Sequence, residues 1–361
     1  MLREIIRGVL RLTIFIATNF YTIPSFLVWF ILLQPLRVLA PDVFWRLDAI
    51  LFKGLIAMVA TWHYTGGYRV IEAGDDLSSL ENEETVFMVN HQSTSDTTLV
   101  MTALFAKNLV SGQVLWVMDK IFKYTNFGLV SMCRGDFFIA QGKSTRLGQL
   151  EQFKKHLIDV YLPRKKKWIV LFPEGGFLRK RLESSQAYGK KNGYPILNHS
   201  TLPRTGAIKV IIDTIGAVDI DQAKLLESHA RPLKWIIDVT LGYPEGKALD
   251  AHGCAIGWHP PTDCYLHYRA YPVSEIPRDL EGLTKWMYER YAEKDKMLEN
   301  FYKSGKFEEP ADAPKRVLPR CREGLLDVDI IQIIMFHVFY LVSTYVHYVY
   351  ILCPILSFIG L

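Results

Sequence analysis

Val86-Phe-Met-Val-Asn-His-Gln-Ser-Thr-Ser-Asp96 joins a short apolar run to a polar one, and the fold reads outward from that junction. Its first four residues suit a buried strand. Asn90 ends the run, and Thr94 or Ser95 can cap the apolar helix that follows. His91 is therefore expected at a strand-to-helix mouth. Asp96 falls in the first helical turn, near enough to fold its carboxylate back onto the imidazole. A neutral imidazole can take a proton from a hydroxyl, while a carboxylate on the other ring nitrogen fixes the tautomer and stabilises the imidazolium. No nucleophilic side chain is needed if the attacking group is the substrate's own alcohol, and the chain has no Gly-x-Ser-x-Gly elbow.

Around this junction, apolar runs alternate with helical patterns. Strands are expected at 85–89, 114–118, 137–139 and 168–172, with helices at 97–107 and 147–161 between them. Further strands at 235–241 and 266–273 precede an amphipathic helix at 279–302. Strands separated by helices argue for an α/β fold, with a largely parallel central sheet flanked by helices and ligands at the carboxyl ends of the strands.

A second stretch, Trp168-Ile-Val-Leu-Phe-Pro-Glu-Gly-Gly-Phe-Leu-Arg-Lys-Arg181, runs from a strand into two glycines and then three cations. Gly175 and Gly176 let the backbone approach a ligand closely, so that their amides could hold a phosphate or a developing oxyanion; two glycines after Pro-Glu also make a tight turn. Together, Asn90-His-Gln-Ser-Thr-Ser-Asp96 and Phe172-Pro-Glu-Gly175 resemble the two signature blocks of the glycerolipid acyltransferases. Gly135-Asp-Phe-Phe-Ile139 resembles the family's block between them, and Leu202-Pro203-Arg204-Thr205 its strand end after them.

The resemblance implies a membrane-bound enzyme moving an acyl group from acyl-CoA, a co-substrate, to a lysophospholipid, with no cofactor. His91 and Asp96 would be catalytic. Acceptor binding would fall to Glu174, Gly175, Gly176, Gly135, Pro203 and Arg204. Gly176 and Phe177 replace the family's common Thr and Arg, so Arg179 or Arg181 is expected to take the phosphate contact as a guanidinium fork. Gln141 stands where many members have Arg, which leans toward a phosphodiester head group. These departures look most like the lysophosphatidylglycerol acyltransferase branch, which acts on lysophosphatidylglycerol and lysophosphatidylethanolamine in the endoplasmic reticulum. Lysophosphatidic acid or lysocardiolipin is the alternative acceptor. From another class, a non-catalytic lipid-binding scaffold is the competing reading.

Half of the 361 residues are hydrophobic. The stretch 12–36 lacks any charged residue, and its 25 residues reach ~37 Å as a helix, against a hydrocarbon core of ~30 Å. Residues 330–361 likewise lack Asp, Glu, Lys and Arg. The chain divides accordingly into an N-terminal anchor (1–36), an interfacial segment (37–68), an acyltransferase domain (69–305), a linker (306–328) and a C-terminal membrane helix (329–361). The stretch 49–60 is too short to span and should lie in the interface or pack on the catalytic domain. Arg37, Arg46, Lys53, Lys315, Arg316, Arg320 and Arg322 lie between the two spans, against Arg3, Arg7 and Arg11 before the first, which puts the catalytic segment on the cytoplasmic side.

Five cysteines without paired spacing suggest a reducing compartment. His252, Cys254, His259, Cys264 and His267 cluster, yet they lack finger-like ligand spacing, and no metal is expected. The run Arg164-Lys-Lys-Lys167 suits anionic lipid head groups. A net charge of +5 is too modest to argue for nucleic acid. The oligomeric state is not legible.

Overall fold

The computed structural model describes residues 2–108, 110–140, 142, 146–216, 232–309 and 316–358. Gln141 and Lys315 lie outside them. Eight strands form one sheet: β1 (Tyr68–Gly74), β2 (Thr85–Val89), β3 (Val114–Asp119), β4 (Phe137–Ile139), β5 (Trp168–Leu171), β6 (Trp235–Gly242), β7 (Thr262–Pro272) and β8 (Gly324–Leu325). Their order is β4-β3-β5-β2-β6-β7-β1-β8. Among the described residues five of the seven pairings are parallel, with β6/β7 and β1/β8 antiparallel. The expected α/β fold with a largely parallel sheet is the one observed.

β2 lies at the centre, and all five of its residues are buried, as a parallel strand covered on both faces requires. Alternate residues serve opposite faces. Phe87 and Val89 join one core with Leu55, Ile56 and Leu99, whereas Val86 and Met88 join a second with Phe153, Ile208 and Met287. The first core is closed by the central helix Pro41–Gly66, which carries the 49–60 stretch and packs on the sheet. Each fully buried Leu or Ile there contributes roughly 1.5–3 kcal/mol by leaving water.

Among the described residues two helices are long and apolar enough to cross a membrane, over Glu4–Leu32 and Ile330–Phe358, and the protein is membrane-associated. They pack together: Tyr21 Oη meets His337 Nδ1 at 2.6 Å, and Trp29 donates to Ser343 at 3.1 Å.

The N-terminal helix also lies along the domain. Phe26 is fully buried beside Phe52 of the central helix, and Asn126 donates to Asn19 at 2.6 Å. Arg11 is buried, donating to the carbonyls of Trp62 and Cys254 at 2.6 Å each, and Arg7 donates to Gly66 at 3.2 Å. Arg7 and Arg11 were expected to flank a span on the side away from the catalytic segment. They are bonded to that segment instead, because a guanidinium at the helix's polar end satisfies carbonyls left open where the central helix stops.

Two further expectations change. The 306–328 stretch does more than connect: β8 extends the sheet by pairing with β1, and Glu309 accepts from Arg269 at 2.8 Å. Of the 164–167 run, Lys166 turns inward while Lys165 stays exposed. Lys166 is buried and donates to the Val114 carbonyl at 2.8 Å, its ammonium pushed down to about 7 by burial, and Lys167 holds Asn82 at 2.9 Å. The His/Cys cluster is dispersed over other contacts: His259 pairs with Asp250 at 2.7 Å, His267 with Glu309 at 3.1 Å, and Cys254 with Ser95 at 3.4 Å.

Candidate active site

β2 and β5 are parallel neighbours in register, Met88 opposite Leu171, so the segments that leave their carboxyl ends emerge side by side. Asn90 begins the first. Its amide side chain donates to the Leu241 carbonyl at 2.9 Å and accepts from the Leu241 amide at 2.7 Å, extending the pairing with β6 by one side chain. The main chain is thereby free to leave the sheet, and His91 comes out at the mouth.

His91 Nδ1 lies 2.8 Å from Asp96 Oδ2. That oxygen also accepts the amides of Gln92 at 2.6 Å and Ser93 at 2.9 Å, while Oδ1 accepts the Tyr243 hydroxyl at 2.6 Å. Asp96 is fully buried; the His91 side chain is 12% exposed, which leaves its ring edge reachable. Because Nδ1 faces a carboxylate, it carries the proton, and Nε2 is the free base. Among the described residues Nε2 has no hydrogen-bond partner. Helix Ser95–Phe105 is capped otherwise than expected: Ser93 Oγ accepts the Ser95 amide at 3.1 Å, and Thr94 Oγ1 accepts the Ala251 amide at 3.0 Å. The loop is pulled back by Asp96, and this moves the capping oxygen one residue upstream of Thr94.

The second segment wraps the imidazole. Phe172 stacks on His91 with ring centroids 4.2 Å apart, and Phe177 leans on it at 4.5 Å. These rings exclude water from a base that must be neutral to act. Glu174 is turned inward rather than toward an acceptor: Oε1 accepts the His91 amide at 2.9 Å, and Oε2 accepts the amide and hydroxyl of Thr201 at 3.1 and 2.8 Å. Burial pushes its carboxyl up to about 8, against the lowering effect of the His91 and Thr201 donors. Glu174 thus ties the two blocks and the 198–201 turn together. Asp295 shapes that turn by accepting the amides of Asn198, His199 and Ser200.

The remaining expected residues separate. Gly175 has φ +67°, a left-handed turn, and a Cβ there would come within 2.9 Å of the Arg204 guanidinium. Its amide is engaged by the Phe172 carbonyl at 3.1 Å, so it is not the open oxyanion donor expected of it. Gly176 lies against the Arg181 stem, whose Nε is buried without a partner among the described residues, and Pro203 is buried beside Arg204. Arg179 points to solvent. Arg181 and Arg204 therefore flank the glycine turn, and Arg179 does not. Gly135 is elsewhere: it ends helix Asn126–Arg134 at φ +75° and precedes β4, at the opposite end of the parallel strands from His91. Gly135 follows Arg134, which is buried in an ion pair with Asp48, while the block's other end, Ile139, lies at the carboxyl end of β4.

Residues 71–220 match the family description "Acyltransferase", and residues 259–327 match "Acyltransferase C-terminus". A human protein, acyl-CoA:lysophosphatidylglycerol acyltransferase 1, is 44% identical over 322 residues, covering 88% of this chain and 87% of its own. The chain belongs to the acyltransferase family. The mouse protein of the same name is 44% identical over 326 residues, covering 89% of this acyltransferase and 87% of itself. Lysocardiolipin acyltransferase 1 of Gallus gallus is 23% identical over 311 residues, covering 84% of this chain and 76% of itself.

Sequence reasoning did not find Tyr243, Phe172 and Phe177 as neighbours of the dyad, nor Thr201. Tyr243 carried one signal: it directly follows β6, which runs parallel to β2, so a side chain there falls beside the His91 loop.

Proposed function

We propose that this acyltransferase moves a fatty acyl group from acyl-CoA to a lysophospholipid, with lysophosphatidylglycerol or lysophosphatidylethanolamine as acceptor. The observation that carries the mechanism is the 2.8 Å contact between His91 and Asp96 at the mouth beside the glycine turn. His91 Nε2 takes the proton from the acceptor's glycerol hydroxyl as its oxygen attacks the thioester carbonyl. The tetrahedral oxyanion collapses, the carbon–sulfur bond breaks, and the departing thiolate takes the proton back from the imidazolium. Asp96 stays ionised throughout and stabilises the imidazolium. No acyl-enzyme forms. Arg181 and Arg204, flanking the turn, suit the acceptor's phosphate.

The 44% identity to the lysophosphatidylglycerol enzymes, against 23% to the lysocardiolipin enzyme, supports the acceptor assignment. The intact dyad favours catalysis over a lipid-binding scaffold. We assign the chain to the endoplasmic reticulum membrane with the site facing the cytoplasm, a reading supported by its free cysteines. The test is a panel of lysolipids offered to the purified full chain with one acyl-CoA. Acylation of lysophosphatidylglycerol or lysophosphatidylethanolamine that vanishes in His91→Ala is the expected result. Preference for lysophosphatidic acid, or turnover by His91→Ala, would overturn the assignment.

A further inference from the structure

We propose that Tyr243 is a positioning residue of the acyl transfer, holding Asp96 in the orientation that serves His91. The inference rests on the acyl-transfer reading above. Tyr243 is fully buried, and its hydroxyl donates to Asp96 Oδ1 at 2.6 Å. The other oxygen of the same carboxylate receives His91 Nδ1 and two backbone amides. Among the described residues, Oδ1 has besides Tyr243 only a long contact from the Ser93 hydroxyl, at 3.5 Å. The phenol is thus the short donor to the oxygen that His91 does not touch. With Oδ2 held by main chain and Oδ1 held by Tyr243, the carboxylate cannot rotate, and one lone pair stays aimed at the imidazole.

The phenol is fixed by the sheet. β2 ends at Val89, opposite Val239, while β6 runs on to Gly242 along β7, so Tyr243 follows at the end of the neighbouring strand, beside the 90–96 loop. A Cβ at Gly242 would come within 3.0 Å of Phe301 and Phe307, so the chain passes close under the long helix Leu280–Ser304 immediately before it. A donor on a carboxylate withdraws charge density from it and weakens the stabilisation of a neighbouring imidazolium.

Among the described residues the nearby titratable groups include Cys264 on β7 beside Tyr243, Tyr302 bonded to Gln92 at 2.6 Å, and Glu174 on the His91 amide, with Asp295 and Lys294 beyond them. Burial holds the Cys264 thiol well above its usual range and the Tyr302 phenol up at about 12, so neither ionises in the working range. Glu174 does titrate nearby, but its contacts are with His91 and Thr201 main chain and the Thr201 hydroxyl, so replacing Tyr243 leaves them in place.

The experiment is the pH dependence of kcat for the full chain in lipid nanodiscs, read as thiol released from acyl-CoA. In Tyr243→Phe, which keeps the ring and loses the donor, the acid limb moves to higher pH by roughly half a unit to one unit, with KM for acyl-CoA unchanged. Site-specific 2,3-difluorotyrosine at 243, a stronger donor of nearly the same size, moves it the other way. In an Asp96→Asn background, Tyr243→Phe adds no shift of its own. An acid limb that stays put in both the Phe and the difluorotyrosine proteins overturns the assignment, and the difluorotyrosine protein decides it alone if Tyr243→Phe does not fold. His91→Ala separates the two levels. If it is dead while the limb is fixed, only the role of Tyr243 falls; if it turns over, the dyad mechanism falls with it.

Discussion

Replacing Asp96 by Asn tests how this site holds its base. In the serine-protease pair the corresponding change costs ~10⁴-fold because the amide imposes the wrong imidazole tautomer. Here the geometry resists that outcome. The position of Oδ2 receives two backbone amides besides His91, and an Asn NH2 placed there would face two other N–H donors. The Asn oxygen must take that place, still accepting His91 Nδ1, while its NH2 turns to Tyr243, whose hydroxyl can rotate to accept. The tautomer survives, and the loss is the carboxylate's charge. Two unit charges about 4 Å apart at an effective dielectric of about 20 interact by roughly 4 kcal/mol. At 1.36 kcal/mol per decade that is about a thousandfold in kcat, one decade less than tautomer reversal would give. The assay is thiol release at saturating acyl-CoA and lysolipid, with KM for both measured alongside. A variant within tenfold of the wild type would refute the reasoning, since it would mean that no imidazolium forms beside Asp96.

Glu174 supplies a pH signature in stability rather than rate. Its carboxyl is raised from 4.5 to about 8, so between those values the folded protein keeps a proton that the unfolded chain has released, and stability falls as pH rises through that window. Thermal melts of wild type should slope downward by up to ~1.4 kcal/mol per pH unit from this group, and Glu174→Gln should lose that slope. Equal slopes in the two proteins would show that the carboxyl is ionised in the fold. Gly175→Ala must hold a left-handed φ of +67° and displace the Arg204 guanidinium, so KM for the lysolipid should rise severalfold, with ~1–2 kcal/mol of lost stability. Arg181→Met should weaken acceptor binding about tenfold while Arg179→Met leaves it unchanged, as read by lysolipid KM; equal effects would show that neither meets the phosphate.

The strands and the dyad were legible because their signals are local. A buried parallel strand reads as an unbroken apolar run, and His91 and Asp96 are five residues apart on either side of one turn. Where contacts cross the chain, the sequence is silent. Glu174 and His91 are separated by 83 positions, and the carboxylate's inward turn depends on Thr201 and on the turn that Asp295 organises. Gly135 lies far from His91 for a related reason: its place before β4 is set by the chain's run through the sheet, which a local pattern does not show. β1 went unread because it mixes Arg69 and Glu72 with its apolar residues near the sheet edge. The first helix was read as a bare anchor because its apolar length is visible in sequence, whereas the partners of Arg7 and Arg11 are not.

That helix has a consequence for how the enzyme can be handled. Phe26 shares one core with Phe87 and Val89, the residues that lead to the catalytic loop, and Arg11 is bonded to Cys254, whose sulfur touches Ser95 beside Asp96. A tether could be trimmed to leave a soluble enzyme. A roof cannot: cutting it away uncovers Phe52 and Leu55 to solvent and loosens the floor on which the acid–base pair stands, so the bilayer's grip and the chemistry are properties of the same wall.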